Sequence, residues 1–207
     1  MKLYYNPASY PCRRVVAVAD HLDLPLETLL IDFTNPNDAH MKELRSLDVA
    51  ERMPLLVDGD FKLGESMAIM QYLTSKKIGQ TLFPEDAKSR AEIMRWQCFT
   101  LAHLGEAAGT FVYENLFKKM FEGSGPDSNA VAEAREEFED HASVLNTHLK
   151  DRTYMIGKNL TLADFAIASP LTYWKQAEIP LEKFEHFYAW YQRMEALPAW
   201  KKTEPKF

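Results

Sequence analysis

Hydrophobic and polar positions change rhythm once along this chain. In the first third, short apolar runs of strand length alternate with stretches whose apolar residues recur at helical spacing. Lys2–Tyr5 predicts a strand. Cys12–His21, with Val15, Val16, Val18 and Ala19, predicts a helix. Glu27–Asp32 predicts a second strand and Ala39–Leu47 a short helix. Leu55–Val57 and Phe61–Leu63 flank Asp58-Gly59, a strong hairpin signal, because glycine supplies the positive φ that tight turns need. Ser66–Ser75 predicts a helix with Ala68, Ile69, Tyr72 and Leu73 on its apolar side.

Beyond a connector at Gly79–Asp86, strand patterns vanish. Ala87–Phe121 predicts a long helical stretch, kinked near Gly105 or Gly109, and Gly123-Ser124-Gly125-Pro126-Asp127 breaks it. Asn129–Leu149, Leu162–Tyr173 and Phe184–Leu197 predict three further helices, and Pro198 is expected to end regular structure. The order β-α-β-α-β-β-α is that of a thioredoxin-like domain. The expected organisation is therefore α/β, thioredoxin-like, over residues 1–78, a linker at 79–86, and an all-α helical domain over 87–207.

Composition narrows the partners. The 207 residues are 46% hydrophobic, enough for a sizeable core, and carry a net charge of −6 with positive charges interspersed among negative ones, which argues against a nucleic-acid partner. No uninterrupted apolar run is long enough to span a membrane, and the first residues lack the apolar stretch of a signal peptide. Cys12 and Cys98 make no disulfide framework, so a reducing, cytoplasmic setting is the expectation. None of the six histidines stands at metal-ligand spacing with a cysteine or carboxylate, and no metal is expected. Neither a P-loop nor a G-x-G-x-x-G motif is present.

Three constellations carry chemistry. Ser9-Tyr10-Pro11-Cys12 opens the first helix, where a redox protein places C-x-x-C because the helix N-terminus stabilises a thiolate. Serine in the first position removes a dithiol cycle. It fits two roles: a helix cap, or a hydroxyl that donates to a thiolate brought from elsewhere and lowers its pKa. Met53-Pro54 precedes an apolar strand, where a cis peptide bond would expose the Met53 backbone to an extended ligand and a trans proline would simply end a loop. Glu65-Ser66 starts the third helix; Ser66 is a natural N-cap beside free backbone N–H groups, and Glu65 suits an ammonium, so the pair suits an amino-acid head group.

Ser9-x-x-Cys12, Met53-Pro54-x-Leu56-Val57-x-Gly59 and Leu63-x-Glu65-Ser66-x-Ala68-Ile69-x-x-Tyr72-Leu73 together resemble the N-terminal domain of the cytosolic glutathione transferase (glutathione S-transferase) family. The resemblance extends to Pro84, to Leu160-Thr161-Leu162-Ala163-Asp164-Phe165-Ala166, where Thr161 and Asp164 form a capping box, and to Leu197-Pro198-Ala199-Trp200. It implies the glutathione transferase fold, glutathione as cosubstrate, thiolate attack on a small hydrophobic electrophile, and a homodimer. Tyr4-Tyr5-Asn6-Pro7-Ala8-Ser9-Tyr10-Pro11-Cys12-Arg13 is similar to the serine-type, bacterial-looking branches and puts the activating hydroxyl on Ser9. Met53 and Pro54 would then meet the cysteinyl backbone of glutathione, and Glu65 and Ser66 its γ-glutamyl end. The electrophile is expected to meet Tyr10, His103, Glu106, Thr110, Tyr113 and Phe117.

Three departures from the family pattern matter: where members usually carry Asn-Pro several residues before the cis-proline, this chain has Asp48-Val49-Ala50-Glu51-Arg52. Glu51 stands where serine-type members often carry a cation for the glycine carboxylate, so Arg52 or His40 is expected to substitute. Met67 follows the Glu-Ser pair where many relatives have arginine. Alternative activities are thiol transfer or deglutathionylation through Cys12, glutathione-dependent isomerisation, and a non-catalytic binding role.

Overall fold

The computed structural model describes residues 1–205, which divide into two compact units. The first comprises Met1–Phe83 together with the segment that begins at Leu197; the second is Pro84–Ala196. Residues 197–205 therefore pack with the α/β unit, whereas the sequence pattern groups them with the helices.

The first unit is built on a four-stranded sheet of β1 (Lys2–Tyr5), β2 (Glu27–Leu30), β3 (Leu55–Asp58) and β4 (Phe61–Leu63) in the order β2-β1-β3-β4. β1 runs parallel to β2, with Leu3 opposite Thr28, and antiparallel to β3, with Leu3 opposite Leu56. Helices α1 (Tyr10–His21), α2 (Ala39–Leu47) and α3 (Ser66–Ser75) complete the expected β-α-β-α-β-β-α order. The alternation along β1 sets the layers. Tyr4 packs with Ile31, Leu44 and Leu55, and the neighbouring Leu3 is fully buried. α1 and α3 pack against each other and bury Val15, Val18, Ile69, Met70 and Leu73. The hairpin loop is Gly59-Asp60, one residue later than the sequence suggests, since Asp58 pairs with Phe61 and Gly59 takes the positive φ of 61°.

The second unit is all-helical. A continuous helical run contains α4 (Ala87–Phe99), α5 (Gly105–Val112) and α6 (Lys118–Glu122), joined by π-helical segments at Thr100–Leu104 and Tyr113–Phe117. A π-segment ends at Gly105, one of the two glycines where the sequence suggests a kink. α7 (Ser128–Leu149), α8 (Leu162–Ala168) and α9 (Glu185–Ala196) follow. Aspartates start three of the chain's helices: Asp38 accepts from Met41 N–H, Asp86 from Ser89 N–H, and Asp127 from Asn129 and Ala130 N–H. α8 is shorter than its apolar pattern suggests. Its α-helical hydrogen bonding stops before Pro170 and a 3-10 turn, Ser169–Leu171, continues it.

The capping box forms as expected. Asp164 is fully buried and accepts from the backbone N–H groups of Thr161 and Met155, each at 2.8 Å, and from Trp190 Nε1 at 2.9 Å. One carboxylate thereby ties the start of α8 to α9 and to the preceding loop.

Pro198 does not end regular structure. It opens α10 (Pro198–Lys202), where a missing N–H costs nothing in the first turn. α10 packs on α1.

Candidate functional site

The N-terminus of α1 follows from its sequence. Ser9 has extended backbone angles and Pro11 sits in the first turn, so the helix starts at Tyr10, two residues before the expected Cys12. Ser9 Oγ accepts from the Cys12 N–H at 3.4 Å. Capping uses the oxygen as an acceptor and leaves the hydroxyl hydrogen available to donate. The two roles read from the sequence are therefore compatible in one side chain.

Cys12 is fully buried. Burial pushes its thiol up from the usual range, against smaller lowering effects of Ser9, the Asn6 backbone and Arg14. A buried, neutral thiol is a poor nucleophile at neutral pH. Tyr5 lines a different space, a cavity of about 200 Å³ that it shares with Arg13, Val16, Asp20 and Lys202. Tyr10 is half-buried, and burial raises its phenol.

The Met53-Pro54 peptide is cis, as expected. Met53 lies two residues before the first paired residue of β3, so its backbone stands outside the sheet ladder, while its side chain packs on the cluster of Tyr4, Ile31, Leu44 and Leu55. The turn after α2 approaches the turn before α3: a Cβ on Gly64 would sit 3.9 Å from Asp48 Oδ2. Sheet pairing and this approach bring the Met53 loop and the Glu65 turn to the same end of β3 and β4.

Ser66 is not the N-cap of α3. It is the first helical residue, and Glu65 occupies the cap position with φ 60° and ψ 107°. Positive φ is uncommon for a residue with a side chain and stores about 1–3 kcal/mol of strain. Among the described residues no side chain caps this helix. The first N–H groups of α3 are thus left for water or a ligand, beside a nearly buried Ser66 and an exposed Glu65.

Sequence reasoning missed Arg14. It is 2% exposed, with Nη1 3.7 Å from Met67 Sδ in the first turn of α3 and its guanidinium 6.0 Å from the Tyr10 ring centroid. The signal was available: Tyr10 and Arg14 are four apart on α1, on the face that meets α3.

Glu51, expected to repel a carboxylate, has φ 52° and pairs with Arg45 at 3.4 Å. Arg52 is exposed. His40 Nδ1 lies 2.7 Å from the Leu30 carbonyl, which accepts from an Nδ1–H.

The remaining candidates lie on the helical unit. His103 is exposed in the first π-segment, with its ring 5.3 Å from both Phe99 and His141. Glu106 is exposed, and Thr110 Oγ1 donates to its carbonyl at 3.2 Å. Tyr113 donates its hydroxyl to Glu122. Phe117 is engaged with Tyr173 and Phe121, at 5.6 and 5.8 Å between centroids.

Family models for the glutathione S-transferase N-terminal domain and C-terminal domain match residues 3–80 and 106–198. A glutathione S-transferase III in apo form is 30% identical, with a TM-score of 0.84 over 100% of this chain and 97% of its own. A delta-class glutathione transferase of Nilaparvata lugens is 28% identical, with a TM-score of 0.81 over 98% and 92%. A glutathione transferase family member from Pseudomonas fluorescens, solved with two glutathione bound, is 23% identical and shares the fold, with a TM-score of 0.85 over 98% and 91%. The chain belongs to the glutathione S-transferase family.

Proposed function

We propose that this protein binds glutathione on its first unit and joins it through its sulfur to a small hydrophobic electrophile. The observation that carries the reading is the state of Ser9. Its oxygen is held at the N-terminus of α1 by the Cys12 N–H, and a serine hydroxyl that accepts there can still turn its hydrogen toward a sulfur. A hydroxyl so held favours the charged form of a sulfur placed against it, as does the positive end of the helix. Met53 and Pro54 would receive the cysteinyl backbone. Glu65, Ser66 and the uncapped first turn of α3 would receive the γ-glutamyl amine and carboxylate, and Arg52 or His40 the glycine carboxylate.

In this mechanism the thiol loses its proton on binding, the thiolate attacks the electrophilic carbon, and a leaving group departs or a double bond accepts the electron pair. The electrophile is proposed to be met by Tyr10 and, on the helical unit, by some of His103, Glu106, Thr110, Tyr113 and Phe117. A homodimer in a reducing, cytoplasmic compartment completes the proposal. Thiol transfer through Cys12 is disfavoured by the burial that raises its pKa.

The test is calorimetry with glutathione, followed by product analysis with a halogenated aromatic, hydroxyethyl disulfide and a maleyl compound. The proposal expects binding and a thioether product from the aromatic. Absence of glutathione binding overturns it, and turnover of the disulfide alone replaces it with thiol transfer.

A further inference from the structure

A guanidinium buried inside a protein normally has a carboxylate beside it, because removing a cation from water is costly unless an anion or several acceptors replace the water. Arg14 departs from that rule. It is 2% exposed and forms no ion pair among the described residues, and its Nε has no hydrogen-bond partner there. Its one hydrogen bond to a side chain, from Nη1, goes to the Met67 thioether at 3.7 Å, a weak acceptor. Burial lowers its pKa to about 10, so it is still a cation at neutral pH; Tyr10, Cys12 and Glu65 act in the opposite direction.

Its location gives this charge a purpose. Met67 is the second residue of α3, a ten-residue helix that no side chain among the described residues caps. Its first-turn N–H groups carry the positive end of the helix dipole, and the buried Arg14 guanidinium adds a full charge against the same turn. Ser66, 5% exposed, adds a hydroxyl there. An uncapped helix start backed by an unpaired buried cation is a site for a carboxylate. Glu65, exposed at the cap position, offers a carboxylate to the ammonium of the same amino-acid head group.

We infer that Arg14 is the cation of the carboxylate-binding subsite at the start of α3, making it a specificity-determining residue for the free amino-acid end of the ligand. The inference rests on the proposed binding of glutathione and adds to it the residue that reads the γ-glutamyl carboxylate. The charge comes from α1, across the helix packing, to the turn where α3 itself offers only Met67.

The experiment compares glutathione with the peptide in which 4-aminobutyryl replaces γ-glutamyl, so that this carboxylate alone is removed. Calorimetry is run on the wild type, on Arg14→Met and on the double variant Arg14→Met/Met67→Arg, which returns a guanidinium to the same place from α3. The wild type should prefer glutathione by roughly 10- to 100-fold, the range expected for a hydrogen-bonded charge. Arg14→Met should lose most of that preference while binding the decarboxylated peptide as the wild type does, and the double variant should recover it. A merely structural Arg14 would weaken both peptides equally, and that result overturns the inference. If Arg14→Met does not fold, judged by circular dichroism, Arg14→Gln is read in the same way. The wild type alone is also decisive in one direction, since equal affinity for the two peptides overturns the inference whatever the variants do. Failure to bind either peptide removes the glutathione reading itself, and this inference with it.

Discussion

The guanidinium of Arg13 lies over the indole of Trp200, 4.1 Å from the ring centroid, and its Nη2 donates to the Trp200 carbonyl at 3.0 Å. The two residues are 187 positions apart, and Arg13 is 6% and Trp200 1% exposed. Lys202 adds an ion pair to Asp20 on the same face of α1. This junction places α10 in the α/β unit. Adjacent arginines on α1 thus do different work: Arg13 docks the C-terminal helix, and Arg14 turns to α3.

Arg13→Ala removes a desolvated cation–π contact and a charge-assisted hydrogen bond. The expected loss is about 3 kcal/mol, measured by urea denaturation followed through tryptophan fluorescence. Arg13→Lys should recover only part of it, because an ammonium lacks the planar fork that stacks and donates together. A loss below about 0.5 kcal/mol would show that α10 is held by its apolar contacts alone.

Gly105 closes the first π-segment. A Cβ there would meet the Thr100 carbonyl oxygen at 2.5 Å, closer than a side-chain carbon and an oxygen approach. In an ordinary helix interior, alanine is better than glycine by about 1 kcal/mol. Gly105→Ala should reverse that sign and destabilise by about 1–3 kcal/mol, read from the denaturation midpoint. Gly125→Ala, with nothing within 4 Å, is the matched control and should be near neutral. Stabilisation by Gly105→Ala would mean that the π-segment relaxes to α-helix at no cost.

Burial raises the Asp164 carboxyl from 3.8 to about 6, against lowering by its hydrogen bonds to Met155, Trp190 and Thr161. The sign follows from linkage. Between the two values the folded state holds a proton that the unfolded state has released, so this group's contribution is fully present below about pH 4 and declines as pH rises through about 6. The stability advantage of the wild type over Asp164→Asn should therefore shrink between pH 4 and 6, measured by paired denaturation curves. An advantage that grows with pH would show that the hydrogen bonds outweigh burial and hold the carboxylate ionised. Asp164→Ala leaves buried N–H groups of Met155, Thr161 and Trp190 without an acceptor and should cost at least about 3 kcal/mol.

Glu65 keeps a positive φ of 60° at the start of α3. Glu65→Gly removes the penalty of that conformation and the side chain together. It should raise stability by up to about 1 kcal/mol and lower glutathione affinity by about tenfold, seen in thermal unfolding without ligand and in calorimetry. Unchanged affinity would separate the strained backbone from ligand binding.

Most elements could be read from the sequence because their signals are local. Ala39–Leu47 and Ser66–Ser75 match their helices residue for residue, and the Thr161–Asp164 capping box formed where its spacing indicated. The failures share a cause: they depend on residues far apart in the chain or on backbone detail. Pro198 signals an end after α9 and a beginning for α10 equally well, and only the contact with Arg13 decides. Ser66 is a good cap by residue type, yet the cap position falls on Glu65, whose φ no composition rule foretells. The first turn of α1 was underestimated because Tyr10-Pro11 reads as a loop until Pro11 is placed in the first turn. At the candidate site, residue types near Ser9, Met53 and Glu65 were legible. Arg14 was not, because its meaning lies in the missing carboxylate around it, a property of packing.

The proposal turns on Ser9 acting on the sulfur of bound glutathione, and the pKa of that sulfur tests it most directly. Thiolate absorbance in the ultraviolet is titrated against pH for glutathione bound to the wild type, Ser9→Ala and Cys12→Ser, using saturating ligand and subtracting the protein. The account predicts a bound-thiol pKa well below that of free glutathione in the wild type and in Cys12→Ser. In Ser9→Ala it should return toward the free value, with turnover reduced and glutathione affinity nearly unchanged. A Ser9→Ala protein that keeps the lowered pKa and full turnover, while Cys12→Ser or Tyr5→Phe loses both, would contradict the assignment and move the chemistry to that residue.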